Sequence, residues 1–129
     1  MKAELATLLA QAEEKLRAAK LLLQGRAWGD ASSRAYYAAF HAVSAALLSK
    51  EETYSSHAQV LGRFNKAFVH QGVFPKEFTT LLTRLYEDRQ AGDYETALGV
   101  TEEDATRDVA DAQRILEAVR QFLSSQEPG

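Results

Sequence analysis

Two residues suited to holding a phosphate lie seven positions apart in the segment 32–41, namely Arg34 and His41. Seven residues turn an α-helix through nearly two full turns, so the two side chains share one face, about 10 Å apart along the axis. At that spacing a guanidinium and an imidazole can grip one polyanionic ligand. The structural alternative is that Arg34 pairs with a carboxylate on a neighbouring helix and His41 packs near the core.

The same segment carries three aromatic residues at helical spacing, Tyr36, Tyr37 and Phe40. Such spacing favours core packing, with the phenol groups reaching the edge of the helical bundle. Tyr37 is therefore both a core candidate and a candidate ligand-binding residue.

Two further groups of residues suit anion chemistry. His57 follows Ser56, a predicted helix cap, and at the first turn of a helix the dipole lowers the pKa of an imidazole and attracts anions. Later, Arg89 precedes Asp93 and Tyr94, which allows a carboxylate to fix the guanidinium beside a phenol. The structural alternative for His57 is a plain surface cap, and that for Arg89 is a cation that complements the dipole at a helix C-terminus.

Composition removes several kinds of chemistry. The chain of 129 residues has no cysteine, so a disulfide framework, a thiolate metal site and a cysteine nucleophile are excluded. Its three histidines are scattered and no metal-binding or nucleotide-cofactor motif is present, so we expect neither a metal nor a cofactor. The net charge of -3 gives no overall attraction to nucleic acid. Contact with RNA must then come from a local cluster of Arg and His.

Apolar spacing predicts the elements that position these residues. Five helices are expected, over residues 2–23, 30–49, 56–72, 75–92 and 101–123. Asp30, the Ser56–Gln59 pair and a weaker Thr101–Asp104 pair are the expected N-terminal caps. Pro75 suits a first helical turn and Gly92 a helix end.

The first and last helices carry matching apolar stripes, which favours an all-α, mostly antiparallel up-and-down bundle of four or five helices. Residues 1–129 are expected to form one domain, with a core of about 3–124. The second helix is apolar around most of its circumference, so we expect it to be central or covered by a second subunit. Charged residues interrupt the N-terminal segment, which predicts neither a signal peptide nor a membrane contact and leaves the cytoplasm as the expected location.

Taken together, these segments resemble the HEPN family, small helical bundles of bacteria and archaea. The resemblance is carried by residues 33–41, by Ser56 and His57, by Phe68 and Val69, and by Arg89 with Asp93 and Tyr94, and it spans roughly residues 5–123. It implies frequent homodimers and pairing with a minimal nucleotidyltransferase as toxin and antitoxin. In some such pairs the nucleotidyltransferase adenylylates a tyrosine just after the family signature, and Tyr94 is the candidate here.

Many HEPN members are metal-independent ribonucleases whose signature is Arg, four to six residues, then His, at a dimer cleft. There, Arg would stabilise the transition state and His would move the 2′-hydroxyl proton. This chain departs from that pattern, because no His follows Arg89 and the one Arg-x6-His match, Arg34 with His41, lies on an earlier helix.

Three functional hypotheses follow. The first is a regulatory subunit that binds a nucleotidyltransferase partner, and a nucleotide or RNA phosphate, at one polar notch; the notch residues would be Arg34, Tyr37, His57, Arg89, Asp93 and Tyr94. The second is a metal-independent endoribonuclease toxin that uses Arg34 with His41, or Arg89 with His57. The third is a scaffolding bundle with no ligand of its own.

Overall fold

The helices follow the predicted order. The computed structural model describes residues 2–93 and 99–126. In that part of the chain there are five α-helices and no strand, and a π-helical segment, Asn65–Val69, continues the third helix. The helices are α1 Ala3–Gln24, α2 Trp28–Leu48, α3 His57–Phe64, α4 Phe78–Asp93 and α5 Glu102–Gln126. The all-α helical bundle is thereby confirmed.

Helix α2 lies at the centre of the bundle, in contact with each of the other four helices. Alanine lines much of its surface, and a methyl group lets a neighbouring helix approach more closely than a long side chain would. The fully buried alanines of α2 are Ala31, Ala35, Ala38, Ala39, Ala42, Ala45 and Ala46. The central position accounts for the apolar circumference of α2, so this feature no longer requires a second subunit.

Five phenylalanines pack at one end of the bundle and fix α3 and α4 against α5. Phe74 is the centre of this group, since its ring lies 5.3 to 5.9 Å from the other four ring centroids. The other members are Phe64, Phe68, Phe78 and Phe122. With α3 held in this way, its first residue, His57, lies beside α2.

Two predicted caps are present. The Ser56 hydroxyl accepts a hydrogen bond from the Gln59 N–H at 3.1 Å, which begins α3. Thr101 and Asp104 form a reciprocal capping box: each backbone N–H donates to the other side chain, at 3.2 and 3.0 Å. The second box, expected to be the weaker, is therefore complete.

Other predicted boundaries are wrong. Helix α2 begins at Trp28, with Ala27 in the cap position. Asp30 therefore lies in the first turn, where its negative charge interacts favourably with the helix dipole but does not cap the helix. Pro75 lies three residues before α4, where its carbonyl accepts the Phe78 N–H at 3.0 Å. At the other end α4 continues through Gly92 to Asp93. The third predicted helix was extended too far, because its helical turns end at Val69.

Gly92 has a different role from the predicted helix end. The last turn of α4 meets the first turn of α2 backbone to backbone at Gly29. A Cβ on Gly92 would lie 2.5 Å from the Gly29 carbonyl oxygen, and a Cβ on Gly29 would lie 3.2 Å from the Gly92 Cα. This approach sets the position of Arg89 and Asp93, which share the end of α4, relative to α2.

Replacing Gly92 with alanine tests this contact. The methyl group would force α4 away from α2, and such overpacking costs about 1–3 kcal/mol, which exceeds the gain in helix propensity of up to about 1 kcal/mol. We expect Gly92→Ala to lower the free energy of unfolding measured by urea denaturation. The matched control is Gly62→Ala in α3, where a Cβ meets nothing within 4 Å and alanine should stabilise. A Gly92→Ala protein as stable as the unaltered chain would contradict the close approach.

Candidate functional site

His57 lies against α2 and bonds to a buried tyrosine. Its Nδ1 is 2.6 Å from the Tyr36 hydroxyl, and its ring stacks on Phe40 with centroids 4.4 Å apart. Tyr36 is fully buried, and this burial raises the pKa of its hydroxyl far above the ordinary value. The hydroxyl therefore stays protonated.

The protonated hydroxyl determines which nitrogen of His57 carries hydrogen. Among the described residues, His57 Nδ1 is the hydrogen-bond partner of the Tyr36 hydroxyl, and a buried hydroxyl whose hydrogen found no acceptor would be costly. Tyr36 therefore donates to Nδ1, and a neutral imidazole must then carry its own proton on Nε2. His57 accordingly offers an N–H donor on the side away from Tyr36.

Arg89 reaches the neighbouring tyrosine from α4. Its Nη2 donates to the Tyr37 hydroxyl at 2.7 Å, and its Nε lies 2.8 Å from the Asp93 carboxylate one turn later. The guanidinium carbon also lies 5.3 Å from the centre of the Tyr37 ring and 5.9 Å from that of Tyr36, within cation–π range. The side chain is 20% exposed. Arg89 is thus held by contacts with Tyr36, Tyr37 and Asp93, while part of its side chain remains exposed to solvent.

These residues form one group, the Tyr–His–Arg cluster, composed of Tyr36, Tyr37, Phe40, His57, Tyr86 and Arg89. Tyr86 packs its ring edge-on to Tyr36 at 5.6 Å, and its hydroxyl accepts a hydrogen bond from Gln90. The rings of the cluster come from α2, α3 and α4, so the site exists only when these three helices are assembled.

The cluster combines a permanent cation with an imidazole that is neutral at neutral pH. Burial lowers the pKa of His57, and the nearby charge of Arg89 lowers it further. For Arg89, burial also lowers the pKa, but its contacts with Tyr37 and Asp93 outweigh that effect and raise it above the ordinary value. The arrangement therefore presents one fixed positive charge and one neutral N–H donor, a combination that suits an anion.

The predicted site residues divide into two groups. Folding brings His57, Tyr37, Arg89 and Asp93 together. Arg34 is exposed on α2, one turn before Tyr37, and makes no hydrogen bond or ion pair with the other described residues. The remaining two candidates lie elsewhere.

His41 lines a separate cavity formed by α1, α2 and α3, so Arg34 and His41 do not form a joint site. Tyr94 lies outside the described residues.

Sequence reasoning missed the roles of two tyrosines. Tyr36 was assigned to core packing with its phenol at the bundle edge; it is fully buried, and its hydroxyl instead orients His57. Tyr86 was not singled out at all. It precedes Arg89 by three residues, and this i, i+3 spacing on one helix face was the signal that could have placed it in the site.

The described part of the chain shows no group of three His, Asp or Glu side chains arranged to hold a metal ion. None of its helices is both long and apolar enough to cross a membrane.

Comparison with known proteins agrees with this helical architecture. The model of the HEPN domain matches residues 5–122 of the chain. The chain belongs to the HEPN family. The resemblance seen in the sequence is thus confirmed over nearly the whole length.

Several proteins similar to this HEPN chain come from bacteria and archaea. A UPF0332 protein of Thermotoga maritima is 37% identical over 88% of this chain and 86% of its own length. A protein of Methanocaldococcus jannaschii named as a candidate toxin is 35% identical over 93% of this chain and 89% of its own length. A crystal structure from Thermus thermophilus matches with a TM-score of 0.79 and 20% identity, covering 93% of this chain and 98% of that one. Because the identity is only 20%, this structural match supports the fold and nothing more.

The charge of Arg89 should be visible in the titration of His57. Replacing Arg89 with glutamine removes a cation that disfavours the imidazolium, so the pKa of His57 should rise toward its ordinary value, while burial keeps part of the depression. We expect this shift in a side-chain NMR titration, with the His57 signal assigned from a His57→Gln variant.

Arg120→Gln is the control for that titration. Arg120 pairs with Glu13 at an exposed contact between α5 and α1, so its loss should leave the His57 signal unchanged. An unchanged or lowered pKa of His57 in Arg89→Gln would show that the two side chains are not neighbours in solution.

Proposed function

We propose that this HEPN chain is the binding and regulatory subunit of a toxin–antitoxin type system linked to a nucleotidyltransferase. In this proposal it binds the phosphate of a nucleotide or RNA at the Tyr–His–Arg cluster. The observation that carries the proposal is the convergence of Arg89 and His57, from different helices, on the paired hydroxyls of Tyr37 and Tyr36.

Both groups keep hydrogen-bonding capacity for a ligand. Arg89 Nη1 and His57 Nε2 make no hydrogen bond to other described residues. Hydrogen bonds from a charged donor to phosphate oxygens are among the stronger ones in proteins. Because Tyr37 and Asp93 already hold the guanidinium, little side-chain freedom is lost on binding.

The surrounding charges support a local rather than a general interaction with nucleic acid. The net charge of -3 would repel a phosphate backbone at long range. Arg34, exposed one turn before Tyr37, supplies a second cation beside the cluster for a ligand with more than one phosphate. The ligand we propose is therefore a nucleotide or a short single-stranded segment, not a long duplex.

The partners follow from the family and from the relatives. Two relatives from Methanocaldococcus jannaschii are named as candidate toxins, which supports a toxin–antitoxin setting. The minimal nucleotidyltransferase partner, the homodimer and the cytoplasmic location stay predictions.

Modification of Tyr94 by such a partner is also a proposal. Mass spectrometry of the chain after incubation with the partner and ATP tests it. An unmodified Tyr94 peptide would contradict the proposal.

A second candidate function, metal-independent RNA cleavage, is favoured by a neutral imidazole beside a fixed cation. Catalysis by His57 as a general base would need a free lone pair on Nε2. The hydrogen bond from Tyr36 keeps a proton on that nitrogen in the neutral imidazole, so the observed geometry suits binding better than proton abstraction. A scaffolding bundle without a ligand would leave the convergence of Arg89 and His57 unexplained.

Binding of a fluorescein-labelled RNA hexamer, followed by anisotropy, tests the proposal. Arg89→Gln should weaken binding about tenfold or more, because one charge-assisted hydrogen bond contributes about 1.5–3 kcal/mol. It should also reduce the slope of log affinity against log salt by about 1. Arg120→Gln is the matched control and should bind as the unaltered chain does. Equal binding by Arg89→Gln and the unaltered chain would exclude the cluster as the phosphate site.

The same proteins separate binding from cleavage. Incubation of the RNA with the unaltered chain in the presence of EDTA should leave it intact if the function is binding alone. Cleavage, together with growth arrest on expression that His57→Ala and Arg89→Ala both abolish, would instead establish the ribonuclease.

A further inference from the structure

A cavity of about 300 Å³ adjoins the Tyr–His–Arg cluster at Phe40, the one cluster residue in its lining. It is bounded by α1, the second half of α2, the connection 52–54 and α3. Its lining is mainly apolar and includes two aromatic rings, Phe40 and Tyr54, together with Leu8, Leu47, Leu48 and Val60. Phe40 belongs to both places, because its ring also stacks on His57 at 4.4 Å.

Polar residues also line this cavity, among them His41, Ser44 and Glu52. Glu52 is the most constrained of them: its Oε1 accepts hydrogen bonds from the Tyr54 hydroxyl at 2.7 Å and from Arg63 Nε at 3.0 Å. Its Oε2 makes no hydrogen bond to the other described residues. The bonds from Arg63 and Tyr54 keep the pKa of Glu52 below its ordinary value. The cavity thus contains a fixed, ionised acceptor with one free oxygen.

We propose that this cavity binds a nucleobase that bears an amino group, namely adenine, cytosine or guanine, and that it discriminates against uracil. The inference rests on the proposed phosphate site, since it assigns the base of the same nucleotide to the cavity. The base would stack against aromatic rings and donate its amino hydrogen to Glu52 Oε2.

The chemistry of the cavity lining supports this choice of ligand. Single-stranded RNA is commonly recognised by stacking bases on aromatic side chains and by hydrogen bonds to their Watson–Crick edges. An amino group presents two hydrogens to a carboxylate, whereas uracil presents carbonyl oxygens on both sides of its one N–H and these would be repelled. His41 and Ser44 supply further hydrogen-bonding groups.

The position of the cavity supports a single ligand that spans both sites. Phe40 lines the cavity and also stacks on His57 with ring centroids 4.4 Å apart, so the cavity adjoins the proposed phosphate site. His41, which was predicted to act together with Arg34, is assigned here to the base instead. Its pKa is lowered by burial and by Lys15, so it is neutral and can both donate and accept.

Calorimetric titration with AMP, CMP, UMP and ribose 5-phosphate tests the proposal. The unaltered chain should bind AMP and CMP about tenfold more tightly than UMP, the effect of one added hydrogen bond to a charged group. Glu52→Gln should remove this preference without changing the affinity for ribose 5-phosphate. Ser44→Leu, which fills the cavity, should reduce AMP to the affinity of ribose 5-phosphate.

Arg63→Gln is the matched control for Glu52→Gln. It removes the same ion pair but leaves the carboxylate, and Arg63 does not line the cavity. The base preference should therefore persist in Arg63→Gln. If the preference disappears in both variants, the ion pair rather than the free oxygen is responsible, and the proposed contact is wrong.

The outcomes distinguish this inference from the proposed function. Equal affinities for all three nucleotides and ribose 5-phosphate would overturn the base site while the phosphate site stands. Failure of ribose 5-phosphate to bind would instead count against the phosphate site. In that case the base site is tested with nucleosides, which lack a phosphate. NMR signals of Phe40 and His41 that shift on adding adenosine, but not on adding uridine, would support the base site. If adenosine causes no shift, the base site is overturned.

Discussion

Close packing around α2 is the constraint on which the site depends. The alanines of α2 let its neighbours approach, and the Gly29–Gly92 contact brings the last turn of α4 against the first turn of α2. Arg89 lies one turn before Gly92, so its guanidinium meets Tyr37 because of this contact. From α3, His57 reaches the adjacent tyrosine, with its Nδ1 2.6 Å from the Tyr36 hydroxyl. The small residues at this contact therefore determine where the guanidinium of Arg89 lies relative to α2.

A buried acid lies just beyond the site, where α4, α5 and α2 meet. Asp108 is fully buried, and burial, with the neighbouring Asp88 adding to it, raises the pKa of its carboxyl. Arg107 lies between the two, with its guanidinium 3.2 Å from Asp88 and 4.0 Å from Asp108. A carboxyl in such a place costs stability when it ionises. Asp88 directly precedes Arg89, so this junction and the Gly29–Gly92 contact hold the same turns of α4.

The sequence predicted the elements well because helix formation depends mainly on local spacing. The apolar stripes of α1 and α5, the central place of α2 and the caps at Ser56 and Thr101 all followed from residues within a few turns of one another. Gly92 was misread for a related reason. A glycine late in a helical pattern usually ends a helix, and the competing explanation, close approach to another backbone, depends on a residue 63 positions away, Gly29.

Only part of the site followed from the sequence. The motif residues His57, Arg89 and Asp93 were identified by type and cap position, but their convergence depends on how three helices pack. The Arg34–His41 pair shows the opposite case. Helical periodicity placed both on one face, yet Arg34 meets solvent while His41 lines a cavity. Shared periodicity shows that two side chains are aligned and does not show that they meet the same neighbours.

The hydroxyl of Tyr36 connects packing to chemistry most directly. Because the ring is buried, the hydroxyl keeps its proton and must place it on an acceptor, and His57 Nδ1 is within reach. That choice puts the imidazole proton on Nε2 and makes His57 a donor toward a ligand. A general-base role of Nε2 would require the other tautomer, with the proton on Nδ1, in which the Tyr36 hydrogen loses its acceptor in the core. The energetic cost of that unpaired hydrogen therefore favours the tautomer with the proton on Nε2, and this cost arises because Tyr36 is buried.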